Sequence, residues 1–171
     1  MRVAMLGVIA ALWMGCALGG RQGAAPAPVG QVPELDYFVG QWRAKLEDPG
    51  TGKKLELRYT VEPAVGGRWY VGRGRIASEA LELQDVWGRD AVSGEIVRSL
   101  FDSTGVHGVV RSKGWQGEKL VFEGEAVSAQ GPVPVRETIV RAGPDAFHAV
   151  WEALQGGEWK AYSVEQLERV R

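Results

Sequence analysis

Arg73, Arg98 and Glu137 are the residues whose surroundings ask for chemistry. Arg98 stands between Ile96 and Leu100, Glu137 stands between Val135 and Ile139, and Arg73 and Arg75 share parity with Trp69 and Val71. In an alternating segment such positions turn inward with their apolar neighbours. A charge in an apolar interior has to be paired or hydrated. The pattern therefore implies either an internal Arg–Glu network or a polar site at the end of a cavity. Glu137 as a base, with an arginine as electrophile, would give acid–base catalysis. The same groups without turnover would read the polar end of a bound molecule. Trp69, Trp87, Trp115 and Trp151 are either walls of such a pocket or core filler. A slip of one residue would put Arg73 and Arg75 outside.

Little else in the chain is reactive. Gly-x-Ser-x-Gly is absent, so no serine is marked as a nucleophile elbow. His-Glu-x-x-His is absent, and no His, Cys and Asp cluster has metal-ligand spacing. Gly72-Arg73-Gly74 is a fragment of a phosphate-loop pattern, but it lies in an alternating segment rather than before a helix and reads as a bend or bulge. The net charge of -1 is spread over both signs, without the basic stripe that nucleic-acid binding needs.

The first residues belong to a different problem. Met1-Arg2 is a short basic start, Val3 to Leu12 is almost wholly apolar, and small residues follow from Gly15 to Gly20. That order is the signature of a secretory signal over residues 1–19, too short in its apolar part to span a bilayer as a helix. The expected location is therefore the cell envelope or periplasm. Cys16, the single cysteine, precludes an internal disulfide and resembles the lipidated cysteine of a lipobox. The box is imperfect, with Trp13 where a leucine usually stands. Cleavage near Ala17 or Gly19 would instead release a free protein. Residues 20–32, rich in Gly, Ala and Pro, form a flexible tether, which favours membrane anchoring through lipidated Cys16. Either outcome removes cysteine chemistry from the mature domain.

Residues 33–171 must position the candidate side chains. Leu55, Leu57, Tyr59 and Val61 alternate with Lys54, Glu56, Arg58 and Thr60, the pattern of a strand with one wet face. Comparable sets are Trp42, Ala44 and Leu46; Leu120, Phe122, Gly124 and Ala126; and Phe147, Ala149, Trp151 and Ala153. Turn residues separate the runs, as in Asp48-Pro49-Gly50, Asp102-Ser103-Thr104-Gly105 and Gln155-Gly156-Gly157. Short links predict antiparallel hairpins, about ten strands in all. Pro33 to Phe38 carries the one helical hint, a turn before the first strand. A meander of this kind hides its edges by closing, which predicts an all-β, up-and-down antiparallel barrel.

Leu35-Asp36-Tyr37-Phe38-Val39-Gly40-Gln41-Trp42 resembles the helical turn and Gly-x-Trp that open lipocalin-like barrels. Further pieces follow in order: Gly66-Gly67-Arg68-Trp69, Phe101 to Gly105, Lys113 to Phe122, Arg136-Glu137-Thr138 and Gly157-Glu158-Trp159. Together they are similar to a lipocalin-like bacterial domain-of-unknown-function family, distantly similar to nitrobindin-type β-barrels. The resemblance implies that Arg169 or Arg171 stacks on Trp42 and closes one barrel end. It also implies that interior arginines and a tyrosine, here Arg73, Arg98 and Tyr162, receive a ligand carboxylate. Nitrobindin-like barrels hold haem through a histidine near the C-terminus. No histidine follows His148, which falls opposite Phe147 and Ala149, and His107 sits just after a turn. Both read as surface residues, so haem is disfavoured and no cofactor is expected. The expected partner is a small apolar or amphipathic molecule, bound among Arg73, Arg98, Glu137, Trp69, Trp151 and Tyr162. An enzyme on the same barrel and a filled envelope barrel with a protein-binding surface are the alternatives.

Overall fold

The computed structural model describes residues 32–171; the leader, Cys16 and the tether up to residue 31 lie outside the described residues. Val32, expected to end the tether, is fully buried and starts the domain. A single helical turn, α1 (Pro33–Asp36), follows, with Pro33 in the first turn, where a missing N–H costs no helical bond. Ten strands come next: β1 (Gly40–Glu47), β2 (Lys54–Ala64), β3 (Trp69–Ile76), β4 (Leu81–Arg89), β5 (Ile96–Asp102), β6 (His107–Ser112), β7 (Lys119–Ser128), β8 (Gly131–Arg141), β9 (Ala146–Gln155) and β10 (Glu158–Arg169). Each pairs antiparallel with the next, and β10 returns to β1, so the sheet closes into an up-and-down barrel. Closure leaves no strand edge unpaired among the described residues, as the short turns required.

The inner face follows the alternation in β1, β2, β7, β8 and β9, where the apolar sets named above are buried or half-buried except at Gly124, which is exposed. In β3 the reading fails. Its inward residues are Tyr70, Gly72, Gly74 and Ile76, and Trp69, Val71, Arg73 and Arg75 face out. Two of the four inner positions carry no side chain, so the apolar signal came from the wrong face. The register of β3 against β2 and β4 runs unbroken through Gly72 and Gly74, so these glycines form neither bend nor bulge.

One end of the barrel is plugged. Phe38 meets Phe147 edge-on at 5.3 Å, Trp115 stacked at 5.8 Å and Trp87 at 5.0 Å, and Trp42 meets Phe147 at 4.9 Å between ring centroids. Such offset and edge contacts add to what the buried area itself contributes. Arg169 lies over Trp42 with its guanidinium 4.2 Å from the ring, as the resemblance implied, while Arg171 pairs with Asp145 instead. Arg169 also donates to the carbonyls of Tyr37 and Val39, which terminate α1. It reaches them past Gly40, whose φ of 127° and lack of Cβ leave the passage open. Trp42 donates its indole N–H to the Phe38 carbonyl at 2.8 Å, which makes it part of the plug rather than of a pocket.

Candidate functional site

The strands bring four polar side chains together at mid-barrel, directly beneath the plug. Asp85 on β4 is wholly buried, and its carboxylate is the hub. Its Oδ1 accepts the Trp87 indole N–H at 2.5 Å, and the Tyr59 hydroxyl on β2 lies 2.8 Å from both oxygens. Oδ2 also accepts Nε and Nη2 of Arg98 on β5, at 2.9 and 2.6 Å. The third guanidinium nitrogen of Arg98, Nη1, donates to Glu137 Oε2 on β8 at 2.5 Å. The guanidinium stacks on Trp87 at 4.0 Å from the ring. Gly72 makes the cluster possible, because a Cβ there would overlap Asp85 Oδ1 and the Tyr59 hydroxyl.

Burial works against every charge in this cluster. It disfavours the Arg98 cation, but Asp85 and Glu137 outweigh that and hold the guanidinium firmly protonated. It pushes Glu137 above the usual carboxylate range against the pull of Arg98. It also raises Tyr59, with help from the Asp85 charge, so the phenol stays neutral and donates.

Beyond the cluster the barrel is hollow. A cavity of about 280 Å³ runs from Tyr59, Arg98 and Glu137 to the end opposite α1. That volume is near the lower end of the range for small-molecule pockets and well above what a water or two would fill. Leu46, Leu81, Leu83 and Leu100 provide much of the wall, and Phe101, His107 and Tyr162, all partly in solvent, stand at the mouth. Glu165 on β10 adds a further carboxyl to the wall; Ser163 donates to its Oε1 at 3.1 Å. Burial, and then the nearby charge of Glu137, push Glu165 up to about 7. A bulge at Tyr162, between the Ala161 and Ser163 pairings with β9, resets the parity of β10 so that Ser163, Glu165 and Leu167 line the interior.

Of the residues singled out from the sequence, Arg98, Glu137 and Trp151 lie together at the cavity. Tyr162 is at the mouth, 43% exposed, its ring 6.4 Å from that of Trp151. Arg73 is on the outer wall, paired with Glu62 at 3.3 Å, and Trp69 is outside as well, its ring lying over Gly88 where a Cβ would clash. Neither reaches the cavity. Arg98 does, but each of its nitrogens is already bonded to an acidic side chain, so its charge is matched by Asp85 and Glu137 before any ligand arrives. His107 and His148 are both exposed. Asp85, Tyr59 and Glu165 were missed. Asp85 carries a readable signal, standing between Leu83 and Trp87 just as Glu137 stands between Val135 and Ile139.

No protein-family model matches this chain, and no curated protein is significantly similar to it in sequence. Among solved structures, the crystal structure of Rv2717c from M. tuberculosis superimposes with a TM-score of 0.57 at 14% identity, covering 83% of this chain and 100% of that one. A redesigned β barrel gives a TM-score of 0.41 at 10% identity, with the same coverage of each chain. At such identity the likeness to Rv2717c shows a shared barrel fold.

Proposed function

We propose that this protein is an exported, non-enzymatic binding barrel of the lipocalin-like kind, which takes one small amphipathic molecule into its cavity. The observation that carries the reading is an apolar cavity of about 280 Å³ with a polar floor of Arg98 and Glu137 at its inner end. Apolar walls favour the body of such a molecule, and the buried polar groups fix its orientation. A barrel that served only as a rigid scaffold would gain stability by filling this space. In the proposed setting, the leader directs export and Cys16 carries lipid that tethers the domain to the envelope.

Native mass spectrometry of the protein purified from its own envelope tests the binding reading. A stoichiometric adduct of small mass, lost on unfolding, is the expected result. A bare mass, with no tryptophan quenching across a panel of lipids and metabolites, would count against it. Metabolic labelling with a palmitate analogue tests the anchor: incorporation that disappears in Cys16→Ser is expected. One observation favours a second reading, acid–base catalysis: Glu165 titrates about 7, where a general acid or base is most effective. Product formation with multiple turnovers from a captured ligand, abolished in Glu165→Gln, would favour the enzyme over the carrier.

A further inference from the structure

The acidic side chains of the cavity outnumber the donors at its floor. Tyr59 and Trp87 give their hydrogens to Asp85, Arg98 gives one from each nitrogen to Asp85 and Glu137, and Ser163 gives its own to Glu165. Among the described residues, the lining donors not spent in this way include the Tyr162 hydroxyl and the Trp151 indole, toward the mouth. The acceptors are not so satisfied. Glu137 is 3% exposed, lines the cavity, and is bonded through Oε2 alone, so Oε1 is left without a hydrogen-bond partner among the described residues. Glu165 likewise is bonded through one oxygen, to Ser163. The charges are just as uneven: one buried guanidinium faces the acidic groups of Asp85, Glu137 and Glu165.

We infer that the molecule this cavity selects carries a cationic, hydrogen-bond-donating head, a primary or secondary ammonium group, on a small apolar body. The inference rests on the binding reading above and specifies its ligand class. An ammonium group supplies what the lining lacks: hydrogens for Glu137 Oε1 and Glu165, and a positive charge to balance the excess acid. Its apolar body would lie among Leu46, Leu81, Leu83 and Leu100. A carboxylate head would do the reverse, bringing another negative charge into a low-dielectric space where the Arg98 cation is already paired with two carboxyl groups. The elevated pKa of Glu165 fits the same picture. Burial first, and then the charge of Glu137, hold a proton on Glu165, and a bound cation would take its place.

Three probes of nearly equal size separate the possibilities: octylammonium, 1-octanol and octanoate, titrated into the full domain at pH 7 and followed by calorimetry and tryptophan emission. The expected order is octylammonium tightest, about tenfold or more over octanol, with octanoate weakest, because a hydrogen bond to a charged acceptor exceeds a neutral one. Glu165→Gln, checked for folding by near-ultraviolet circular dichroism, is expected to cut the preference for octylammonium over octanol severalfold. Equal binding of all three, or tightest binding of octanoate, overturns the cationic head while leaving the binding reading intact. Binding of none, together with a bare mass from the native envelope, overturns both. The order among probes is measured on the wild-type protein, so it stands even if the variant fails to fold.

Discussion

The plugged end and the middle of the barrel hold arginines by different means. At the plugged end Arg169 gives protons to the backbone carbonyls of Tyr37 and Val39, just after α1, and to the partly exposed Asp145, and lays its face on Trp42. Arg141 is held there by rings alone, stacked 3.8 Å from Trp115 and 4.5 Å from Tyr37, with its buried Nε unpartnered among the described residues. At mid-barrel Arg98 is 7% exposed and depends on two carboxyl groups, with Trp87 beneath it. The first kind of arginine is a clamp whose acceptors can turn to water when it is lost. The second is one member of a closed electrostatic set. Stability at one end thus comes from rings and carbonyls, and at the floor of the cavity from charges that hold one another in place.

Removing each arginine in turn measures this difference. Arg98→Ala leaves Asp85 and Glu137 buried without their cation, which is expected to cost about 3–5 kcal/mol in urea unfolding. Gly72→Ala, in the same layer, drives a methyl group into the Tyr59–Asp85 contact and is expected to cost about 1–3 kcal/mol through forced rearrangement. Near-ultraviolet circular dichroism should report the displaced Tyr59. Arg169→Ala should cost less than Arg98→Ala, about 1–2 kcal/mol, from the lost hydrogen bonds and cation–π contact. If Arg169→Ala proves the more damaging, the contrast between clamp and closed set is wrong.

A pH dependence is expected from the carboxyl groups of the cavity. The Glu165 carboxyl titrates about 7 in the folded barrel against an ordinary value of 4.5, so between those values the folded state holds the extra proton. Stability should therefore fall as pH rises through that window and level off above it. Glu137, raised by the same burial, acts in the same direction. Asp48, Asp90 and Asp145 are lowered from 3.8 and work the other way, but their contribution is lost only as pH falls further, below this window. Chemical denaturation between pH 5 and 8, set as an experimental range, should show the decline in the wild type and a flatter profile in Glu165→Gln. A rise in stability over that range would contradict the acid excess at the cavity.

The fold was legible because its information is local: period-two alternation and turn residues specify hairpins, and hairpins in series leave closure as the natural way to hide the edges. The site was legible only in part, because a polar residue is seen to be inward only by the company it keeps. Arg98 and Glu137 have apolar neighbours on both sides and were found. Asp85 has the same company and was passed over. Arg73 was misplaced because Gly72 and Gly74, the real inner residues, have no side chain to reveal their face. Glu165 lies beyond a bulge that shifts the parity of its strand, and a bulge depends on the pairing with β9 rather than on any residue of β10 alone. Whether Arg98 is free or saturated depends on Asp85 and Glu137, which approach it from other strands, and no single strand reveals that.

The seam between β1 and β10 pairs Trp42 with Arg169 and Leu46 with Glu165. It joins the first strand to the last, so it is the longest loop the chain must close and the slowest kind of contact to form. One wall of the cavity belongs to β10 and another to β1. The hairpins can therefore assemble one after another without producing any pocket at all. The cavity is complete only when this seam closes and Arg169 docks on the plug. A ligand that recognises only the closed barrel will accordingly hold that seam shut, and should act mainly by slowing unfolding.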